Sequence, residues 1–521
     1  MSSSALALRR VRRLVPRPAL AAAATLAVGV ALIPLAYLGL RAGEAGWARI
    51  ADELFTARTG ALVVRSVALA AVVTAACTVL GVAAAFLVTR TDVPARRLFG
   101  MLAALPLAVP SYVAAFAWVS TVQGFEGFWP AALVLTLVSY PYVYLPVAAA
   151  LAGVDPAQEE VSRSLGRGPW HTVGGVTLRQ VRPAVGAGAL LVALYVLSDF
   201  GAVSIVRVDV FTRAIFTSIN LGFDRTGALV LATVLVALTA LILLAEQLTR
   251  RRGARYARLG SGAPRPQARL RLGRLRWPAA FGLTGVAALS LGVPAASLMR
   301  WFGEGVSRPG SLTGIAAAAG NSLWVSLAGA GLTMLLALPL GLLTARAPGL
   351  LAVALDRLAY LSHALPGLVM GLSLVFFGIN VVYPLYQSVW LLGLAYASLF
   401  LPLAVAAVSA AAAQAPPGLE EVARSLGRRR AYVLRTVTVP LAAPGIGAGA
   451  ALVFLTCMKE LPATLLLRPT GMDTLATELW TQTSVSAYAA AAPYAALLVL
   501  IAAVPTWWLS ARTGVLTRGG G

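Results

Sequence analysis

Lysine is almost missing from this chain of 521 residues: of its 42 basic residues only Lys459 is not an arginine. It also has just two cysteines, two histidines and 12% charged residues. Each shortage excludes something. Cys77 and Cys457 lie in apolar runs without C-x-x-C spacing, which rules out a disulfide framework or a cysteine metal site. His171 and His363 alone cannot build a histidine-rich metal centre. A phosphate-cradling G-x-x-x-x-G-K-[ST] loop needs a lysine, and Lys459 sits in Thr456-Cys457-Met458-Lys459-Glu460 with no glycine loop before it. No Ser/His/Asp arrangement or carboxylate pair marks a catalytic pocket either, so the chain does not read as an enzyme. Ordinary soluble domains carry about 25% charged residues. A soluble catalyst or a nucleic-acid module is therefore excluded by composition.

What is abundant is apolar length. Hydrophobic residues make up 59% of the chain, and the mean hydropathy is +0.82. A bilayer-crossing helix takes about 20 apolar residues. Twelve runs qualify, at 19–40, 61–89, 101–122, 130–151, 184–205, 226–248, 279–300, 317–345, 355–378, 386–412, 444–467 and 487–510. The fold class is all-α and polytopic. Arg9, Arg10, Arg12, Arg13 and Arg17 precede a first run that continues to Leu40, too long for a signal-peptide core, so an uncleaved span is expected. With the N-terminus in the cytoplasm, the whole net charge of +23 collects on the cytoplasmic side. Both termini are then cytoplasmic, the arginines record topology, and contact with anionic lipid head groups is a secondary consequence. Trp507 and Trp508, near the end of the last run, fit interfacial anchors.

The chain also repeats itself. Glu159-Glu160-Val161-Ser162-Arg163-Ser164-Leu165-Gly166 returns as Glu420-Glu421-Val422-Ala423-Arg424-Ser425-Leu426-Gly427 at an offset of 261. The same offset pairs Asp199 with Glu460 and Arg207 with Arg468. Ser66 and Arg90 pair with Ser322 and Arg346 at 256, and Pro106 with Pro366 at 260, a drift that implies a slightly shorter loop in the second copy. The expected organisation is a six-span repeat at 1–248, a basic cytoplasmic linker at 249–278 with ten arginines and no acid, and a second six-span repeat at 279–521. Six spans is an even number, so the two repeats enter the membrane in parallel.

The loops at 155–183 and 416–444, each between the fourth and fifth span of its repeat, are the most informative stretches. Asp155 suits an N-cap and Pro156 the first helical position. Glu159 and Glu160 fall where the helix dipole favours acids, and Gly166 and Gly427 supply a positive φ to end the helix. A short helix, a glycine break and a second short helix form a compact knob. Two matching knobs fit a two-fold docking partner; the plainer reading is a re-entry loop that caps the bundle.

These loops resemble the "EAA" signature of permease subunits of bacterial ATP-binding-cassette importers: a Glu, two small residues, a Gly six positions after the Glu, and a Pro near the end. Glu160, Gly166, Glu421, Gly427 and Pro440 match; Val161 and Val422 replace a small residue, and Arg179 stands at the first copy's Pro position. The resemblance implies that the loops, with Glu159, Ser164, Glu420 and Ser425, are coupling elements seated in clefts on two copies of an ATPase. That partner would use ATP and Mg; no cofactor is expected in this chain. The stretches from Ser198 to Ser204 and from Lys459 to Pro469 resemble the fused, double-length permeases of iron(III) importers, served by a periplasmic or lipid-anchored iron(III)-binding protein. Thiamine, sulfate and polyamine permeases are relatives, leaving those substrates as alternatives, and a twelve-span secondary transporter is the more distant one. The resemblance places the protein in the bacterial inner membrane.

Inside the spans, Asp199, Lys459 and Glu460 each fall about 15 residues from the span's cytoplasmic start, or roughly 22 Å. Charges at such depth usually face a bundle interior or water. They are candidates for an outward gate, with Lys459 partly neutralising Glu460; the alternative is an ion pair that fixes helix packing. Pro106 and Pro366 are hinge candidates, since proline removes a helix hydrogen bond, or they serve packing alone.

Overall fold

The computed structural model of the chain describes residues 18–44, 46–154, 156–220, 222, 224–253, 270–304, 312–347, 349–362, 365–414 and 417–512. Among them the backbone is helical without strands, apart from one bridge between Thr91 and Leu270. All twelve expected apolar runs are helical, but not all as straight rods. Nine described helices are long and apolar enough to cross a membrane, among them Pro18–Arg41, Ala57–Arg90, Phe128–Ala152, Pro169–Ser198, Gly273–Glu304 and Arg435–Met458. The third and ninth runs are helix pairs bent by 95°, Arg96–Ala108 with Ser111–Thr121 and Leu350–Ser362 with Gly367–Asn380. The twelfth is the shorter apolar helix Tyr488–Ala503. Asp155, His363 and residues 254–269 of the expected linker lie outside the described residues, as do the side chains of Trp507 and Trp508; the linker's two ends are helical, in Arg225–Gly253 and from Gly273 onward.

The bends correct the pairing of the prolines. Pro110 (φ −60°, ψ 147°) and Pro366 (φ −58°, ψ 148°) occupy the same position, the N-cap of the helix after the bend. Their offset is 256, as for Arg90 and Arg346. Pro106 instead lies in the 3₁₀ turn Leu105–Ala108 before the bend. Tyr140 and Pro146 meet Tyr396 and Pro402 at 256 as well. The jump to 261 therefore falls after Pro402, where the helix continues to Gln414 while its counterpart stops at Ala152. The second copy is longer there, not shorter, and the extra residues extend a helix.

Two further boundaries move. The fifth run was expected to continue through 205, but the helix Leu178–Ser198 stops before Asp199, and a separate helix covers Gly201–Ile205. The eleventh breaks in the same way, between Val439–Met458 and Pro462–Leu467.

Compact units do not follow the sequence halves. One unit comprises residues 1–44 with 317–474, and the other 45–316 with 475–521. In the first, the opening span of the chain packs on helices of the second repeat. Ser373 Oγ donates to Pro34 O (2.5 Å), Tyr37 Oη donates to Phe376 O (3.2 Å), and the Tyr37 and Phe377 rings meet edge to face. In the second unit the seventh span joins the first repeat. The Ser120 and Ser297 hydroxyls lie 3.0 Å apart, and Tyr488 packs between Phe116 and Trp301.

Membrane helices gain little from the hydrophobic effect between themselves, so small residues that admit close backbone contact set their crossings. A Cβ on Gly81 would lie 2.7 Å from Val143 Cβ, and one on Gly188 2.7 Å from Val143 Cα, so two helices close onto one residue of the fourth span. In the other unit Gly449, the counterpart of Gly188, sits equally close to Ala407. These crossings fix where the loop beyond the fourth span emerges.

Candidate functional site

Each loop begins with a nine-residue helix, Pro156–Ser164 in one unit and Pro417–Ser425 in the other. Gly166 and Gly427 both have φ +78°, as expected of helix-ending glycines. The closing hydrogen bonds also match. Gly166 N donates to Arg163 O and Arg167 N to Ser162 O; Gly427 N donates to Arg424 O and Arg428 N to Ala423 O. Ser164 Oγ and Ser425 Oγ each donate to the carbonyl three residues earlier, Val161 and Val422, and so complete the last turn. A five-residue π-helical turn follows in both, Val173–Thr177 and Leu434–Thr438, and leads into the next membrane helix. Pro440 opens one of those helices and Arg179 takes its place in the other, yet the exit is the same. The π turn, not the proline, sets the exit geometry.

The two adjacent acids have different jobs. Glu159 is buried at 4% exposure, and both of its oxygens accept from Arg90 Nη2, at 2.6 and 2.5 Å. Thr177 Oγ1 donates to the same carboxylate at 2.7 Å. In the other unit Arg346 Nη2 lies 2.9 Å from Glu420 Oε1, which also accepts from Thr438 Oγ1 at 2.9 Å. Arg90 and Arg346 end the long second and eighth spans. An arginine, a glutamate and a threonine thus pin each loop to the tip of a membrane helix. A pair that is buried and hydrogen-bonded in this way fixes geometry more than it adds stability. Composition and spacing marked Arg90 and Arg346 only as repeat partners, and Thr177 and Thr438 were missed. Their shared offset of 261 was the available signal.

Glu160 and Glu421 point to solvent instead. Beside them Val161, Leu165 and Trp170 are exposed on the first loop, and Val422, Leu426 and Tyr432 on the second. An apolar face rimmed by charges of both signs, with Arg163 and Arg167 on the first loop and Arg428 and Arg429 on the second exposed beside the acids, has the make-up of a protein-docking surface.

Asp199 and Glu460, mid-span by hydropathy, sit at helix breaks. Asp199 Oδ1 accepts from the amides of Ala202 (3.0 Å) and Val203 (3.3 Å), and Ser111 Oγ donates to Oδ2. Glu460 accepts from Ala463 N (3.1 Å), Thr464 N (3.0 Å) and Thr464 Oγ1 (2.9 Å). Each acid caps the short helix that follows it, and the positive end of that helix supports its charge. Lys459 is half-buried at the C-terminal end of the preceding helix, where a cation is favoured. The partners beneath the caps are matched by size. At the first position after the bend, Ser111 meets the shorter acid in one unit. Gly367 meets the longer one in the other, where a Cβ would fall 2.6 Å from Glu460 Oε1.

Among the described residues no group of three or more His, Cys, Asp or Glu side chains comes together as a metal site. The family described as "Binding-protein-dependent transport system inner membrane component" matches residues 77–254 and again 337–511. This chain belongs to that family. It is a multi-pass inner-membrane transport permease subunit, not an enzyme, with the domain present twice. The chain is 39% identical over 480 residues to the Fe(3+)-transport system permease protein FbpB 2 of Haemophilus influenzae, covering 92% of this chain and 95% of that one. The Sulfate transport system permease protein CysT of Escherichia coli is 28% identical over 234 residues, 41% of this chain and 84% of its own length. A putative ABC transporter permease protein of Streptomyces antibioticus is 37% identical over 148 residues, 28% of this chain and 63% of that one.

Proposed function

We propose that this permease carries iron(III), delivered by an extracytoplasmic binding protein, into the cytoplasm by alternating access, driven by two copies of a separate ATPase. One observation carries the choice of iron. The iron(III) permease relative aligns along 92% of this chain, across both repeats, whereas the sulfate permease relative accounts for 41% of it. In this reading both termini and both loops face the cytoplasm, which the arginine distribution supports.

In this reading each ATPase receives one loop through Val161 and Leu165, or Val422 and Leu426, with Glu160 or Glu421 at the rim. ATP and Mg belong to the ATPase. When the two ATPases close and open, each loop moves as a rigid piece, because the glycine turn and the π turn hold its shape. The Arg90–Glu159–Thr177 and Arg346–Glu420–Thr438 clusters pass that movement to the second and eighth spans. Asp199 and Glu460 keep the helix breaks in place as the spans tilt, which gives them a capping role in preference to a gating charge.

The test is uptake of radiolabelled iron(III) by cells producing this chain with its ATPase and binding protein. ATP depletion is compared with an uncoupler applied while ATP is held constant. Uptake lost only with ATP supports the reading. Binding-protein-dependent uptake of sulfate or thiamine in place of iron replaces the substrate, and uptake that persists without the ATPase overturns the mechanism.

A further inference from the structure

The residues before the seventh span are strapped to the loop after the second. Leu270 N donates to Arg90 O (2.9 Å), Asp92 N donates to Leu270 O (3.3 Å), and Leu272 N donates to Asp92 Oδ1 (2.8 Å). Leu272 then packs with Val93, Phe99 and Ala280. The strap brings the helix Arg276–Ala287 beside Arg96–Ala104 and the last turns of Ala57–Arg90. Between them lies an apolar groove of about 280 Å³, lined by Leu80, Leu87, Phe99, Leu102, Leu283 and Val286 among others. Tyr140 is the one lining residue with a polar group.

Arginines gather at the strapped end of this groove. Arg96 precedes the lining residue Phe99 by three positions, and Arg276 precedes the lining residue Ala279 by three, so each sits one helical turn nearer the strap. Arg97, Arg271 and Arg274 flank them, and Arg96 and Arg97 border an open hollow beside Asp92. Asp92 lines that hollow too, and the Leu272 amide donates to its carboxylate. An apolar slot in the membrane that ends in cations has the chemistry of a lipid site. We propose that the groove holds an acyl chain of one anionic phospholipid whose headgroup phosphate rests on Arg96 and Arg276. The lipid joins the seventh span to the loop that follows Arg90, and so braces the residue that pins the first coupling loop.

Native mass spectrometry of the delipidated full-length chain tests this without reference to transport, so a wrong substrate leaves the outcome untouched. The chain is titrated with dioleoyl phosphatidylglycerol, dioleoyl phosphatidylethanolamine and glycerol phosphate. The first phosphatidylglycerol binds at least tenfold tighter than phosphatidylethanolamine, and glycerol phosphate does not compete. Each arginine near an anionic headgroup contributes roughly fivefold, so Arg96→Gln with Arg276→Gln weakens that first site about 25-fold and weakens binding of the zwitterionic phosphatidylethanolamine much less. Gly282 lines the groove, and a Cβ there meets no atom within 4 Å, so Gly282→Leu fills the slot without a backbone clash and removes the first site. Equal affinity for the two lipids, competition by glycerol phosphate, or unchanged binding in Gly282→Leu overturns the proposal. If the double arginine variant fails to fold, Gly282→Leu still decides.

Discussion

Glu159→Ala is the substitution whose cost the structure specifies best. It leaves Arg90, 2% exposed, as a buried cation without its carboxylate, and it removes the acceptor of Thr177. Breaking a buried pair from one side costs about 3–5 kcal/mol. Glu420→Ala is the internal comparison. Both side chains of the Arg346–Glu420 pair are 19% exposed, so the stranded arginine reaches water and the cost falls to about 1–2 kcal/mol, between surface and buried pairs. The chain carries its own reporters. Cys77 and Cys457 are buried in different units, so a thiol-reactive dye applied to a Cys457→Ser or Cys77→Ser background reads each unit as it opens. At about 2–4 °C per kcal/mol, Glu159→Ala lowers the Cys77 midpoint by at least about 6 °C, and Glu420→Ala lowers the Cys457 midpoint by about half as much or less. Replacing both partners, Arg90→Met with Glu159→Met, restores most of the stability, because apolar groups of similar volume need no counter-charge. A loss below 1 kcal/mol in Glu159→Ala, or an equal loss in Glu420→Ala, refutes the assignment of the pair as the anchor of the first loop.

Glu160→Arg with Glu421→Arg leaves the chain inserted and as stable as the parent, since both side chains are exposed, but co-purification of the ATPase falls to background; full retention argues against docking through this rim. Gly367→Ala forces a methyl against Glu460 Oε1 and Pro462 Cγ and lowers stability by about 1–3 kcal/mol, while Gly331→Ala, in open space, changes it by less than 0.5 kcal/mol in the same dye assay. Asp199→Glu alone crowds Ser111 and reduces iron(III) uptake, and adding Ser111→Gly, which copies the other unit's pair, restores it. Asp199→Asn keeps a capping acceptor, so uptake stays near the parent value; an uptake loss beyond tenfold returns the acid to the gate.

Much of the architecture was legible because its causes are local. A run of about 20 apolar residues has few fates other than a membrane helix, so all twelve runs were found. Glycine at the loop turns was legible for the same reason, since a positive φ excludes most residues. Helix interruptions were harder. Asp199 and Glu460 stand in apolar surroundings, and hydropathy counts a span through them. The capping that ends one helix and starts another depends on amides three and four residues ahead, a pattern that composition averages away.

The exchange of spans between units was invisible for a different reason. Pro18–Arg41 has no charge pattern that distinguishes a neighbour in its own repeat from one in the other, because in lipid every apolar face is equally content. Its choice rests on single contacts such as Ser373 Oγ to Pro34 O, between residues 339 positions apart. The anchor of the coupling loop shows the same limit in milder form. Arg90 and Glu159 were each visible as repeated residues, yet nothing in their spacing of 69 says that they meet. Their meeting follows from the fourth span, which carries the chain back past the second so that the loop returns to that helix's tip. Gly81 and Gly188 let both neighbours close onto Val143 and thereby set the return point. The site is therefore fixed by packing inside the membrane, and a substitution at Gly81 or Gly188 is expected to disturb the loop as surely as one at Glu159.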